Sequence, residues 1–193
     1  MGQKWFTSDW HAGEGLERSH KALFRDRHTS QLIDVWLQNC HDSIQSTDDT
    51  LYMLGDMFLT IDDVSVLAQL PDCRKILIKG DKERRFNEVF VAGEVMEAGI
   101  EFMADVLWET MGGNDYCMLH RPDEAFDRSE DMAFLCGHVH RAWTFAKLPN
   151  GHPIINVGID VWGRIVSEDE IVRLTNLIRN GQYDINCYPQ DWG

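Results

Sequence analysis

Apolar residues along this chain fall into short runs, and several of those runs stop at a glycine or an aspartate. Lys4–Ser8, Thr50–Leu54 and Arg74–Ile78 read as short strands buried in a core, since they show no solvent-facing alternation over their length. Between the first two, Leu32, Ile33, Val35, Trp36, Leu37, Cys40 and Ile44 recur at helical spacing, which predicts a helix over Ser30–Ile44 with Ser30 as its N-cap. Ile61–Leu70 predicts a shorter helix that Pro71 ends. Strand and helix units in series imply a parallel sheet covered by helices, because parallel neighbours need a crossover connection.

The second half changes character. Phe102–Met111, Asp115–His120, Met132–Cys136, Ala142–Leu148 and Ile154–Val157 read as short strands separated by Gly, Asn or Pro. Pro149-Asn150-Gly151 is a hairpin signal. Ser167–Ile178 returns to helix, with Ser167 as N-cap and Glu170 completing a capping box. Arg121–Glu130 is the one long polar gap, a candidate loop over a site.

Composition narrows the class. A chain of 193 residues with 44% apolar and 26% charged side chains can bury a core as a single domain over residues 1–193. No run reaches membrane-span length and the N-terminus lacks a signal pattern, so a cytoplasmic location is expected. Met1-Gly2 is not a myristoylation signal, because Phe6 stands where Ser or Thr is needed. Cys40, Cys73, Cys117, Cys136 and Cys187 are odd in number and form no CxxC pair, which favours reduced, mostly buried thiols. A net charge of −14 disfavours polymeric nucleic acid as a partner. The local exception is Lys79, Lys82, Arg84 and Arg85 around Gly80-Asp81. Its bland reading is the solvated first turns of a helix.

The chemistry gathers where strands give out. Asp9 and His11 follow the first strand, Asp56 follows Gly55, Asp81 follows Gly80, and His120 ends an apolar run. Cys136-Gly137-His138-Val139-His140 then places two imidazoles on the same side of an extended segment. Ligands in parallel sheets collect at the carboxyl ends of strands, where the three aspartates fall. Carboxylates and imidazoles from separate loops suit two divalent transition metals, which can share a hydroxide and clamp a phosphoryl group for in-line attack. Each residue also has a structural alternative. The aspartates suit turns, and His120 suits a core position. His20, His28, His41 and His152 are read as surface or supporting residues, with His152 the nearest candidate to the site.

The ordered set Asp9-Trp10-His11, Gly55-Asp56, Gly80-Asp81-Lys82-Glu83, His120 and Gly137-His138-Val139-His140 resembles the calcineurin-like metallophosphoesterase superfamily over residues 3 to 160. Asn156-Val157-Gly158-Ile159-Asp160-Val161-Trp162 is similar to its small bacterial and phage-encoded members. The resemblance implies a four-layer α/β/β/α sandwich, with mixed sheets and flanking helices. It also implies a dinuclear metal-dependent hydrolase of phosphoric esters. One metal would be held by Asp9, His11 and His140, the second by Asp81, His120 and His138, with Asp56 bridging them. Manganese is the expected metal, with iron, zinc or nickel as alternatives.

Two departures from that pattern matter. The family's third motif usually reads Gly-Asn-His followed by Asp or Glu, and here it is Gly80-Asp81-Lys82-Glu83. Asp81 adds a negative charge that tightens metal binding and lowers Lewis acidity. Lys82 supplies a fixed cation for a phosphoryl oxygen but is a poor proton donor near neutral pH. Leaving groups that need little protonation are therefore favoured, and a phosphodiesterase on small nucleotide-like or aryl substrates is expected over a monoesterase. Asp56, Lys82 and Asp81 are the expected catalytic residues, with Lys82, Arg84, Arg121 and Arg141 as candidate substrate contacts. Glu14 stands where phage-type relatives often carry another histidine, and the valine-aspartate-arginine-glycine run of protein phosphatases is absent. The rival reading is a non-catalytic scaffold on the same fold, as in the retromer scaffold subunit. Self-association is left open.

Overall fold

In a computed structural model the described residues are 2–13, 29–86, 88–126, 128 and 131–182. Strands β1 (Lys4–Thr7), β2 (Thr50–Met53) and β3 (Arg74–Ile78) pair in parallel in that order. β4 (Phe102–Ala104) continues the sheet in parallel beside β3, and β10 (Val166–Ser167) closes the other edge antiparallel to β1. A second sheet has the order β5-β6-β7-β9-β8, from β5 (Leu107–Met111), β6 (Asn114–Met118), β7 (Ala133–Cys136), β8 (Phe145–Lys147) and β9 (Pro153–Asn156). Its centre β6-β7-β9 is parallel and its two edges are antiparallel. Both sheets are mixed, with helices flanking them.

Side-chain alternation explains why the sheets stack. Phe6, Tyr52, Leu54, Ile76 and Ile78 leave the first sheet on one face and meet Tyr116, Met118, Leu135, Ile155 and Val157 from the second. Phe6 stacks on Tyr52 with ring centroids 5.2 Å apart, a contact worth about 0.5–1.5 kcal/mol beyond burial. Leu51, Met53 and Leu77 point the other way. They pack beneath Leu32, Trp36 and Cys40 of helix α1 (Thr29–Ser43) and Val95 of helix α2 (Glu88–Glu97). The outer face of the second sheet packs Cys117, Phe134, Cys136 and Ile154 against Trp143, Val139 and Ala125. These strands are buried on both faces, which is why their sequences lack polar alternation.

Several boundaries differ from expectation. Phe102–Met111 is two strands, β4 and β5, which belong to different sheets. Asp105 and Val106 form the crossing between them. Ile61–Gln69 is helical with 3₁₀ character, and Thr60 with Asp63 forms its capping box. Ser30 is already inside α1, whose described residues begin at Thr29, so it is not the cap. Helix α2 was not anticipated from the sequence. Within Arg121–Glu130, Pro122–Ala125 forms a 3₁₀ turn. Helix α3 (Ile159–Trp162) is a single turn after β9, and α4 (Glu168–Arg179) carries the expected Ser167–Glu170 capping box. No described helix is long and apolar enough to cross a membrane. Cys40, Cys73, Cys117 and Cys136 are buried, and Cys187, Glu14, His20 and His28 lie outside the described residues.

Candidate metal centre

Two sets of parallel strands end beside one another. Asp9 and His11 follow β1, Asp56 follows β2, and Asp81 follows β3, while His120 follows β6 and His138 and His140 follow β7. Backbone bonds stitch these loops together. Asp9 N–H donates to Gly55 O at 3.0 Å, His11 N–H to Asp56 O at 3.0 Å, and Gly137 N–H to His120 O at 3.1 Å. All seven sequence-predicted ligand residues therefore come together. They form three overlapping groups: Asp9, His11 and His140; Asp81, His120 and His138; and Asp9, Asp56 and His120. Within each group one ligand atom per residue lies within 4.8 Å of the others.

The backbone is bent to bring them there. Asp9, His11, Asp56, His138 and His140 have φ of 60°, 47°, 52°, 70° and 47°, and they are the non-glycine residues with positive φ among those described. Each such residue costs on the order of 1–3 kcal/mol, a strain that persists where surrounding structure holds it. Close approach also demands glycine. A Cβ on Gly55, itself at φ 86°, would fall 2.6 Å from Gly80 N and 2.7 Å from His120 Nδ1.

Asp56 lies at the junction. Its Oδ2 is 3.6 Å from His11 Nε2 and its Oδ1 is 3.5 Å from His120 Nε2. Lys82 approaches both oxygens: its N–H donates to Oδ1 at 2.8 Å and its Nζ lies 3.3 Å from Oδ2. Burial raises the Asp56 carboxyl, but His120, the Lys82 N–H and His11 outweigh it and the pKa is lowered. The same contest at Asp9 leaves that carboxyl well below the usual carboxylate range. Burial opposes ionisation there, and His11, His120 and His140 more than compensate. Ser8 Oγ and the His138 N–H also donate to Asp9 Oδ2, at 2.6 and 3.0 Å.

The donor chemistry fits cations. His120 Nδ1 lies 2.7 Å from the Leu54 carbonyl oxygen, which can only accept, so Nδ1 carries the proton. His120 Nε2 is buried with no hydrogen-bond partner and faces the Asp56 carboxylate. If the ring is neutral, its Nε2 lone pair opposes the Asp56 carboxylate, an opposition that a cation between them would relieve. Ligand atoms each about 2.1 Å from one metal sit about 3.0–3.4 Å apart, and the separations here, 3.5 and 3.6 Å, are slightly wider.

The candidate substrate contacts divide. Lys82 lies on Asp56, and Arg121 Nη1 donates to Asp81 Oδ2 at 3.2 Å while its Nε holds Asp123. Arg84 is engaged by Glu124 at 2.7 Å and Asp105 at 3.4 Å, and Arg141 is exposed beside His140. His152 pairs with Asp131 at 3.8 Å and packs on Phe134, a different environment from the one anticipated for it. Sequence reasoning assigned no role to three supporting residues. Buried Glu83 accepts the N–H groups of Asp56, Met57 and Gly80 at 2.8–2.9 Å, joining two ligand loops. Asn156 and Asp160 support the His140 loop. All three stood inside quoted motifs, which was the available signal.

No family model matches the chain. It is 28% identical to the Gene 66 protein of Mycobacterium phage L5, over 92% of this chain and 96% of that one. Among solved structures, a protein of unknown function, AQ665 from Aquifex aeolicus, aligns with TM-score 0.65 and 22% identity over 90% of this chain and all of that one. A novel archaeal phosphodiesterase aligns with TM-score 0.52 and 14% identity, over 81% and 83%. The phosphoesterase Yfce from E. coli aligns with TM-score 0.50 and 15% identity, over 80% and 78%. The chain has the fold of the calcineurin-like metallophosphoesterases.

Proposed function

We propose that this protein is a dinuclear metal-dependent hydrolase of phosphoric esters that prefers small diesters, with one such domain spanning residues 1–193. The observation that carries the reading is the paired ligand groups meeting at Asp9 and Asp56, five of their residues held at left-handed backbone angles. Asp9, His11 and His140 would hold one cation, Asp81, His120 and His138 the other, and Asp56 would face both. Two divalent cations there supply Lewis acidity and a water-derived nucleophile at neutral pH. Asp81 stands where the family resemblance implies asparagine, and Arg121 offsets its added charge at 3.2 Å.

Lys82 keeps a cation 3.3 Å from the shared carboxylate, where it can neutralise a phosphoryl oxygen. An ammonium is a weaker general acid than the imidazolium it replaces, so leaving groups with low basicity are favoured. A scaffold role would leave the strained ligand backbone and the opposed acceptors of His120 and Asp56 without a purpose.

The test is turnover of a bis-aryl phosphodiester against the matching aryl monoester, with manganese supplied. Asp56→Asn should lower diester turnover by about 10²–10³-fold or more, the scale of losing one charge partner of the transition state. Retained turnover in a folded Asp56→Asn protein defeats the assignment.

A further inference from the structure

Asn156-Val157-Gly158-Ile159-Asp160-Val161-Trp162 lies outside the seven ligands, yet its polar atoms converge on one of them. β9 ends at Asn156, and the chain turns through Gly158 into α3 directly beneath the His140 loop. Asn156 Nδ2 donates to His140 O at 2.6 Å and to Trp143 O at 2.8 Å, while its Oδ1 accepts the Gly158 N–H at 2.8 Å. Trp162 Nε1 returns to Asn156 O at 2.8 Å and locks the turn. One amide thus grips the backbone of a residue held at φ 47°.

The ring is gripped separately. Asp160 Oδ2 lies 3.1 Å from His140 Nδ1, and Asp160 is only 4% exposed. Its second oxygen is buried with no hydrogen-bond partner, so this carboxylate serves the imidazole and nothing else in reach. Gly158 makes the approach possible, since a Cβ there would press on both Asn156 Oδ1 and Asp160 Oδ1 at 3.0 Å.

We infer that this seven-residue segment is a positioning device for His140. Asn156 sets its strained backbone, and Asp160 sets its ring orientation and tautomer. With Nδ1–H donated to Asp160, Nε2 is left to carry the lone pair that His140 can offer to the group it forms with Asp9 and His11. Asp160 is a positioning residue; it touches the imidazole and not a reacting atom. The part of the inference that concerns metal rests on the dinuclear reading, and the part that concerns the tautomer does not.

The two parts separate experimentally. Nitrogen NMR of the metal-free protein, at a pH where imidazoles are neutral, reports which His140 nitrogen bears hydrogen. Wild type should show Nδ1–H, Asp160→Ala should move the proton to Nε2, and Asp160→Asn, which keeps an acceptor oxygen, should preserve Nδ1–H. Calorimetric titration with manganese should give two equivalents in wild type. In Asp160→Ala one equivalent should weaken by about 10–100-fold while the other is unchanged, the usual scale for a group that orients a ligand imidazole.

Circular dichroism and thermal unfolding of both variants establish that the fold is intact, and Asp160→Asn decides the case if Asp160→Ala is unfolded. An unchanged tautomer with both affinities retained in Asp160→Ala overturns the inference. So does Nε2–H in folded Asp160→Asn. If wild type takes up no manganese, the dinuclear reading fails. The tautomer comparison then decides positioning alone, a switch supporting it and its absence overturning it.

Discussion

The two ligand groups are built to different standards. Asp9 and His11 are buried, and Asp9 is held by Ser8 Oγ and the His138 N–H, while His140 is held by Asp160. Across Asp56, only His120 is fully buried. Asp81 and His138 are part-exposed, as is His140 in the first group, and Asp81 shares its oxygen with Arg121. Low dielectric and crowded hydrogen bonds fix Asp9 and His11, while Asp160 fixes the more open His140. The second has one buried ligand residue, His120, and two cations beside it, Arg121 at Asp81 and Lys82 at the neighbouring Asp56.

The sharpest way to break this contrast is to neutralise one carboxylate in each half. Asp9→Asn removes a charge that Ser8 and three imidazoles are arranged to hold. One manganese equivalent should be lost and diester turnover should drop by about 10²–10³-fold. Asp81→Asn gives the third motif the asparagine that the family resemblance implies and leaves Arg121 to Asp123. Turnover there should stay within about tenfold of wild type, with the second equivalent bound more weakly. Equal losses from the two variants, read by titration calorimetry and kinetics together, would erase the distinction.

Lys82 sharpens the comparison from the open side. Lys82→Met removes the ammonium facing Asp56 Oδ2 and should cost about 10- to 100-fold in diester turnover. Lys82→His should return less of the diester rate than of the monoester rate, because an imidazolium can protonate a poor leaving group. If Lys82→Met raised diester turnover, the ammonium would be a competitor for Asp56 and no help to the substrate.

How much of this was legible followed from which interactions are local. The ligands could be read because each directly follows an apolar strand, and β1, β2 and β3 are apolar on both faces. Supporting contacts could not. Glu83 reaches Asp56 across 27 positions and Asp160 reaches His140 across 20, so only the fold brings them together. Helix α2 escaped notice because Val89, Val91 and Val95 with Gly93 carry weak helical propensity and no clean stripe. Phe102–Met111 looked continuous because Val106 hides the crossing, and the choice of sheet on either side is made by pairing partners far along the chain.

The smallest expected effect concerns the two histidines of the Gly137–His140 loop, which belong to opposite halves. Burial lowers the His138 pKa, and His120 and Arg121 lower it further against Asp81 and Asp9. Burial also acts to lower His140, but the Asp160 hydrogen bond and the carboxylates of Asp9, Asp160 and Asp56 reverse it, so its pKa is raised. The signs follow from linkage. Protonated His140 stabilises the metal-free fold below its unfolded pKa, and this contribution is lost as pH rises through the folded value. His138 works in reverse: its contribution is present above the unfolded pKa and is lost as pH falls through the folded one. In an NMR titration of metal-free protein, His138 should therefore surrender its proton at lower pH than His140. A metal entering the first group must displace the His140 proton over a range where His138 is already neutral. Affinity of that group should fall more steeply on acidification, and calorimetric titrations on either side of neutrality would show whether the better-built half is also the more pH-sensitive one.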